Sequence, residues 1–361
     1  MKPCDIGGQG VLEGVMMRSA KEAALAVRKS SGEIVTSKWK LKEKKKGFLS
    51  WPVVRGCVNF VSMLTEGMKV ITDSAKLYEE DEEEKPAVTE GQDTDKKSGK
   101  SDMDKAMILA VVLALALCIG LFFLLPSFLV GLVKQYLSSS LLISLVEGLI
   151  RIIIFMGYMF FCTCVKDVKR VFMYHGAEHK TITCYENELP LTVENVRPQR
   201  RLHPRCGTSY LLLVMIISIL IYSIAGALFA PINQNLGLRV LSRLILLPLI
   251  AGVSYEILKG VAKHENIFTR IIRWPGMQLQ RLTTKEPDDS MMEIAILAFE
   301  MALGEKTDDE IEALKASFDR STKEEPAEAA DTKEAEVETA GTEAAEETGA
   351  ETAEEEANTE G

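Results

Sequence analysis

Histidine is scarce in this chain, with four among 361 residues, so their placement carries information. His175, His179 and His203 fall within 29 residues, and His264 stands apart. Cysteine is sparse and irregular: seven residues form no repeating framework, which gives no disulfide-built scaffold. Cys162-Thr163-Cys164 is C-x-C and lacks the spacing of a thioredoxin-type redox pair. The opening Met1-Lys2-Pro3-Cys4-Asp5 has no apolar run, so no cleaved signal peptide is expected. Gly7-Gly8-Gln9-Gly10 lacks both the phosphate-loop lysine and an evident strand before or helix after it, which argues against nucleotide-binding fingerprints.

Charge is missing altogether from 106–133 and from 208–230. Each run exceeds the roughly 20 residues that a helix needs to cross a hydrocarbon core. Two more apolar stretches, 137–165 and 240–262, are long enough to span but carry ionisable residues. Buried core helices are usually shorter and amphipathic. The expectation is therefore a mainly α, polytopic membrane protein with about four transmembrane helices, whose neighbours are the lipid bilayer and, beyond it, a second copy or another membrane protein. Lys166, Lys169, Arg170, Lys180, Arg197, Arg200, Arg201 and Arg205 crowd 166–207, whereas 134–136 and 231–239 offer Lys134 and Arg239. The positive-inside rule then places both termini and the 166–207 connection in the cytoplasm.

The net charge of −10 conceals a division. The tail 303–361 holds 21 acidic against 5 basic residues, and the linker 79–104 holds 11 against 4. Both lack apolar periodicity and are expected to be disordered, the tail from about residue 321. The remaining chain is net +13, which suits a surface lying against anionic headgroups. Nucleic acid is not an expected partner, because the basic residues flank membrane helices and no binding motif accompanies them. This gives four parts: an N-terminal cytoplasmic module 1–78, the acidic linker 79–104, a membrane domain 105–302, and the tail 303–361.

Within the module, Ala24–Arg28 and Ile34–Trp39 flank Lys29-Ser30-Ser31-Gly32-Glu33, a β-hairpin signal. The glycine-rich segment ahead of them is expected to pack closely beneath the membrane or to enter a site, with Glu13 and Arg18 as its notable side chains. Residues 53–78 repeat apolar side chains at three- and four-residue steps, a one-sided helix started at Trp51-Pro52 that lies on the bilayer or packs against the bundle.

The chemistry-bearing stretch is His175-Gly176-Ala177-Glu178-His179, with His203-Pro204-Arg205-Cys206 downstream. Two histidines four apart share one helix face, and H-x-x-E-H is the order of the inverted zinc metallopeptidase motif. On that reading His175 and His179 hold a divalent metal, most simply Zn²⁺, and Glu178 is the general base for its water. His203 and Cys206 are the further ligand candidates. Three protein ligands leave room for hydrolysis, all four make a structural site for a membrane scaffold, and a metal-free polar cluster is the plainest alternative. Within the spans, Glu147 and Arg151 are four apart and should pair. Arg243, near the outer end of the fourth span, should snorkel outward. Glu256 should reach the level of the histidine segment. Ionisable groups at such depths also mark pathways, so transport of an ion or small solute is the alternative function.

The segments GGQGVLEGVMMR, PVVRG, YHGAEHKTI, HPRCGTSY and PGMQLQRLTTKEP together resemble the YqhQ-like family of bacterial membrane proteins, a domain of unknown function numbered 1385. The resemblance covers roughly residues 5–300 apart from the acidic linker. It implies a multi-pass protein of the bacterial cytoplasmic membrane and a metal-dependent enzyme acting through His175, Glu178, His179, His203 and Cys206. It implies no substrate.

Overall fold

The computed structural model describes residues 4, 6–41, 47–83, 109, 111–137, 139–229, 232, 235–263 and 266–321. Most of the acidic linker, the tail beyond Ser321 and His264 lie outside the described residues. The chain divides into two units, 1–311 and 312–361.

Four strands open the first unit: β1 (Gly7–Val11), β2 (Gly14–Arg18), β3 (Glu22–Arg28) and β4 (Ile34–Lys40), antiparallel and in that order across one sheet. The expected hairpin is β3–β4, with Gly32 in its turn at φ 87°, a left-handed conformation that suits glycine. The glycine-rich segment, which showed no evident strand in the sequence, is the hairpin β1–β2, with Gly7 opposite Arg18 and Val11 opposite Gly14. Its pairing is hidden in the sequence because glycine has low strand preference and supplies no side-chain alternation.

Helix α1 (Val54–Glu83) is the one-sided helix, and it runs five residues into the stretch expected to be disordered. Four helices are long and apolar enough to cross a membrane. They are α2 (Val111–Tyr136), α3 (Ser140–Cys162), α6 (Thr208–Leu228) and α7 (Leu236–Lys263). Between the middle pair lie α4 (Lys166–Glu186) and the single turn α5 (Val193–Val196). After the last span come α8 (Ile267–Thr283), α9 (Asp289–Leu303) and α10 (Asp308–Ser321). The spans present Leu113, Leu145, Leu220 and Ile245 outward and exposed, as expected of helices whose solvent is lipid.

Strand β3 does not alternate between buried and exposed, because the sheet is covered on both faces. Ala23, Leu25 and Val27 join Val11, Met16 and Val70 of α1 in one core, with Trp39, Leu41 and Leu77 at its edge. Ala24 and Ala26 point to the other face. There α9 packs across β2 and β3, with Ile294, Leu297 and Ala298 fully buried. An Arg28–Glu293 ion pair at 2.8 Å ties the sheet to α9.

One expectation for the spans changes. Glu147 and Arg151 do approach, at 3.7 Å. Arg243, however, does not reach outward: it is 5% exposed and bonded to Glu147 and to Ser127 Oγ, the latter at 2.7 Å. A carboxylate already inside the bundle offers charge pairing that a trip to the surface would forgo. Glu256 pairs with Arg55 of α1 at 2.6 Å.

Candidate metal centre

Helix α4 carries HGAEH, and its residues Tyr174 to Cys184 are buried or nearly so. Strand β1 lies along one side and α9 along another, where the Tyr185 and Phe299 rings pack at a tilt of 51° with centroids 5.0 Å apart. Residues 284–287 close the helix from a third side. Lys285 N–H donates to Phe172 O at 2.8 Å, and a Cβ on Gly176 would sit 2.1 Å from Lys285 O. Glycine at 176 is therefore a packing requirement of the motif.

Each histidine of α4 is held from behind. His175 Nδ1–H donates to Thr283 O at 2.8 Å, and His179 Nδ1–H donates to Arg201 O at 2.5 Å. A carbonyl only accepts, so both rings are fixed in the tautomer that leaves Nε2 with its lone pair. This backing is the usual outer-shell arrangement of metal-binding imidazoles. His175 Nε2 lies 3.2 Å from Cys206 Sγ and 3.8 Å from Glu178 Oε2. The ligand atoms of His175, His179 and Cys206 all lie within 4.8 Å of one another. His179 Nε2 and Glu178 Oε2 are buried without a hydrogen-bond partner. Two unmet polar atoms facing a thiol and a second imidazole suit a cation, since leaving them unmet is costly.

The electrostatics suit the same occupant. Burial pushes the Glu178 carboxyl up to about 7, against opposing help from His175; Cys206 adds to the rise, and a hydrogen bond from the Gly8 backbone opposes it. Burial, reinforced by His175, holds His179 well below its ordinary 6.5, so the ring is neutral, the form that ligates. Burial raises the Cys206 thiol, a shift that a bound cation would reverse.

The structure brings His175, Glu178, His179 and Cys206 together and sets His203 to another task. His203 Nε2–H donates to Glu186 Oε2 at 3.2 Å, and burial lowers this imidazole to about 4, which keeps it neutral. Glu186 is charge-paired with Arg205 and accepts Cys4 N–H at 3.4 Å. Gln280 of α8 clamps the His203 backbone from both sides, accepting its N–H and donating to its C=O, each at 2.8 Å. His203 thereby pins the segment that delivers the Arg201 carbonyl and Cys206 Sγ to the centre. Thr283, Glu186 and Gln280 did not figure among the sequence candidates, whereas Gly8 lies in the glycine-rich segment expected to pack closely or to enter a site. Thr283 and Gly8 act through backbone atoms, which leave no residue signature. Gln280 had one faint signal, a polar side chain in a run otherwise patterned as a one-sided helix.

Fold and site together define a multi-helix membrane protein with a buried His/Cys group. Its chain belongs to the DUF1385 family of proteins of unknown function, whose profile matches residues 51–305 and so takes in both HGAEH and HPRC. It is 36% identical over 300 residues to the uncharacterized protein YqhQ of Bacillus subtilis (strain 168), covering 82% of this chain and 92% of that one. No solved structure matches it.

Proposed function

We propose that this protein is a metal-dependent hydrolase of the bacterial cytoplasmic membrane, with its centre on the cytoplasmic side. His175 Nε2, His179 Nε2 and Cys206 Sγ would hold one divalent metal, most simply Zn²⁺ given the mixed nitrogen and sulfur donors. When bound, the metal would supply Lewis-acid polarisation and a more acidic water. Glu178 Oε2 stands beside the ligand set and takes up the proton. Carbonyls of Thr283 and Arg201 keep both imidazoles aimed, and β1 and residues 284–287 exclude water from the rest of the helix face. The observation that carries the reading is the pair of unmet buried atoms, His179 Nε2 and Glu178 Oε2. The ligand atoms that lie within 4.8 Å of one another belong to three residues, His175, His179 and Cys206, and three protein ligands would leave a fourth position open. Dense basic residues in 166–207 support the cytoplasmic placement.

A structural metal site in a membrane scaffold is the second reading, favoured by burial: Glu178 is 3% and His179 1% exposed. One experiment separates the two. Purified protein should carry about one divalent metal per chain by elemental analysis. His175→Ala with His179→Ala, or Cys206→Ser, should lower that content, whereas His264→Ala and His203→Gln should retain it. Glu178→Gln should keep metal and fold while failing to complement a deletion strain, because a base acts on the barrier and contributes little to holding the metal. Full complementation by metal-loaded Glu178→Gln would leave the structural reading in its place. Stoichiometric metal in the double histidine variant would remove the site itself.

A further inference from the structure

We infer that α8 is a membrane-surface helix that docks flat on anionic phospholipid, on the side of the bilayer where the histidine cluster stands. Two contacts fix its level. Arg273 Nη2 donates to the carbonyl of Val261, the residue at which the α7 span ends. Gly276 passes so close to the start of α6 that a Cβ there would lie 2.6 Å from Ser209 Cβ. The α6 span begins at Thr208, so both tethers lie at the edge of the apolar layer. An Asn266–Thr269 capping box starts α8 afresh after α7 ends at Lys263.

At about 100° per residue, α8 has three sides. Thr269, Gly276, Gln280 and Thr283 are buried on the first, which packs against α6 and the histidine segment. Ile267, Phe268, Ile271 and Trp274 point away from it and are 61% to 72% exposed. Apolar patches of this kind mark interaction surfaces, and the neighbouring spans are exposed in the same way toward lipid. Arg270 and Arg281 form the third side. Both are exposed, and neither forms an ion pair with a described residue. Trp274 falls between this basic side and the aliphatic one, the place an indole takes at a membrane–water boundary.

The arginine spacing sets the tilt. Arg270 and Arg281 lie about 16 Å apart along the helix by its rise, on nearly the same side. A helix that dipped into the bilayer would carry one of them into hydrocarbon, which is costly. Lying in the interface plane, α8 seats its apolar side among acyl chains and keeps both guanidiniums at phosphate level, where anionic lipid attracts them. Lipid is favoured over a second copy of the chain, because the helix sits at the ends of two spans and the charge beside its apolar side is of one sign. The lipid-facing side is separate from the one bearing Gln280 and Thr283. Docking therefore does not depend on a metal at the histidine cluster.

Trp274 reports the docking in the full-length protein. Bilayers of equal parts phosphatidylglycerol and phosphatidylcholine carry bromine on the chains of one lipid or the other. The difference in emission between wild type and Trp274→Phe isolates this indole. It should be quenched by brominated chains, and more strongly when phosphatidylglycerol carries the bromine. Arg270→Gln with Arg281→Gln should remove that preference while quenching itself remains. Should this variant not fold, high salt on the wild-type protein should remove the preference instead. Trp274 emission that bromine leaves unchanged would overturn the docking, and a dimer seen alongside by native mass spectrometry would give the face to a second copy. Equal quenching from the two lipids in the wild type, or a preference that survives these changes, would overturn the recognition of anionic lipid.

Discussion

Gly176 shows how a single residue fixes the geometry of the centre. The chain at Lys285 passes so close to α4 that a methyl group at position 176 would lie 2.1 Å from a backbone oxygen, which cannot swing aside as a side chain can. Gly176→Ala should therefore destabilise by about 1–3 kcal/mol through overpacking, read by denaturant or thermal unfolding, and should lower metal content by shifting Thr283 behind His175. His203 makes a pH prediction. Its imidazole titrates near 4 in the folded protein and at 6.5 when unfolded, so the unfolded state binds more protons between those values. Stability is then complete above about pH 6.5 and is lost as pH falls toward 4, by roughly 3 kcal/mol at most. Metal-free protein in detergent should show a falling unfolding midpoint across that window, and His203→Gln should flatten the fall. An unchanged slope in the variant would remove His203 as the cause.

Among the elements, α9 is the one whose role the sequence hid. Asp289–Leu303 is buried over nearly its full circumference, since it fills the space between the sheet and α4. Leu297→Ala should cost about 2–5 kcal/mol, a cavity-forming loss in unfolding measurements, and should loosen β2 and β3 together with α4. Two of the spans were legible as charge-free runs and the other two by apolar length despite their ionisable residues, while β1 and β2 were not, because glycine gives little alternation to read. The histidine helix was legible from its i, i+4 spacing. What stands behind it was not: Thr283 O and Arg201 O are backbone atoms brought by tertiary packing, and spacing cannot report them. Spacing also grouped His203 with the ligands, whereas the group whose ligand atoms converge is His175, His179 and Cys206, and nothing in the sequence said that Glu186 would engage the His203 ring. Arg243 was misplaced for a related reason, as its partner Glu147 lies 96 residues away.

At the scale of the whole molecule, the arrangement of basic segments makes a topological prediction. A reporter fused after Lys134 should be exported, and a single cysteine placed at the exposed position 187 should resist labelling from outside intact cells. Labelling there would move the proposed chemistry to the other compartment. The centre itself is assembled from pieces scattered along the chain: Gly8 on β1, His175 to His179 on α4, Arg201 to Cys206, and Thr283 at the end of α8. His175 and its carbonyl partner are 108 residues apart, with two membrane spans between them. A ribosome thus releases both α4 histidines and the thiol well before the residue that aims His175 has been made. During synthesis these groups stand in an unfinished pocket, so on the proposed reading metal capture would belong to the last stage of biogenesis, once α7 and α8 have been made.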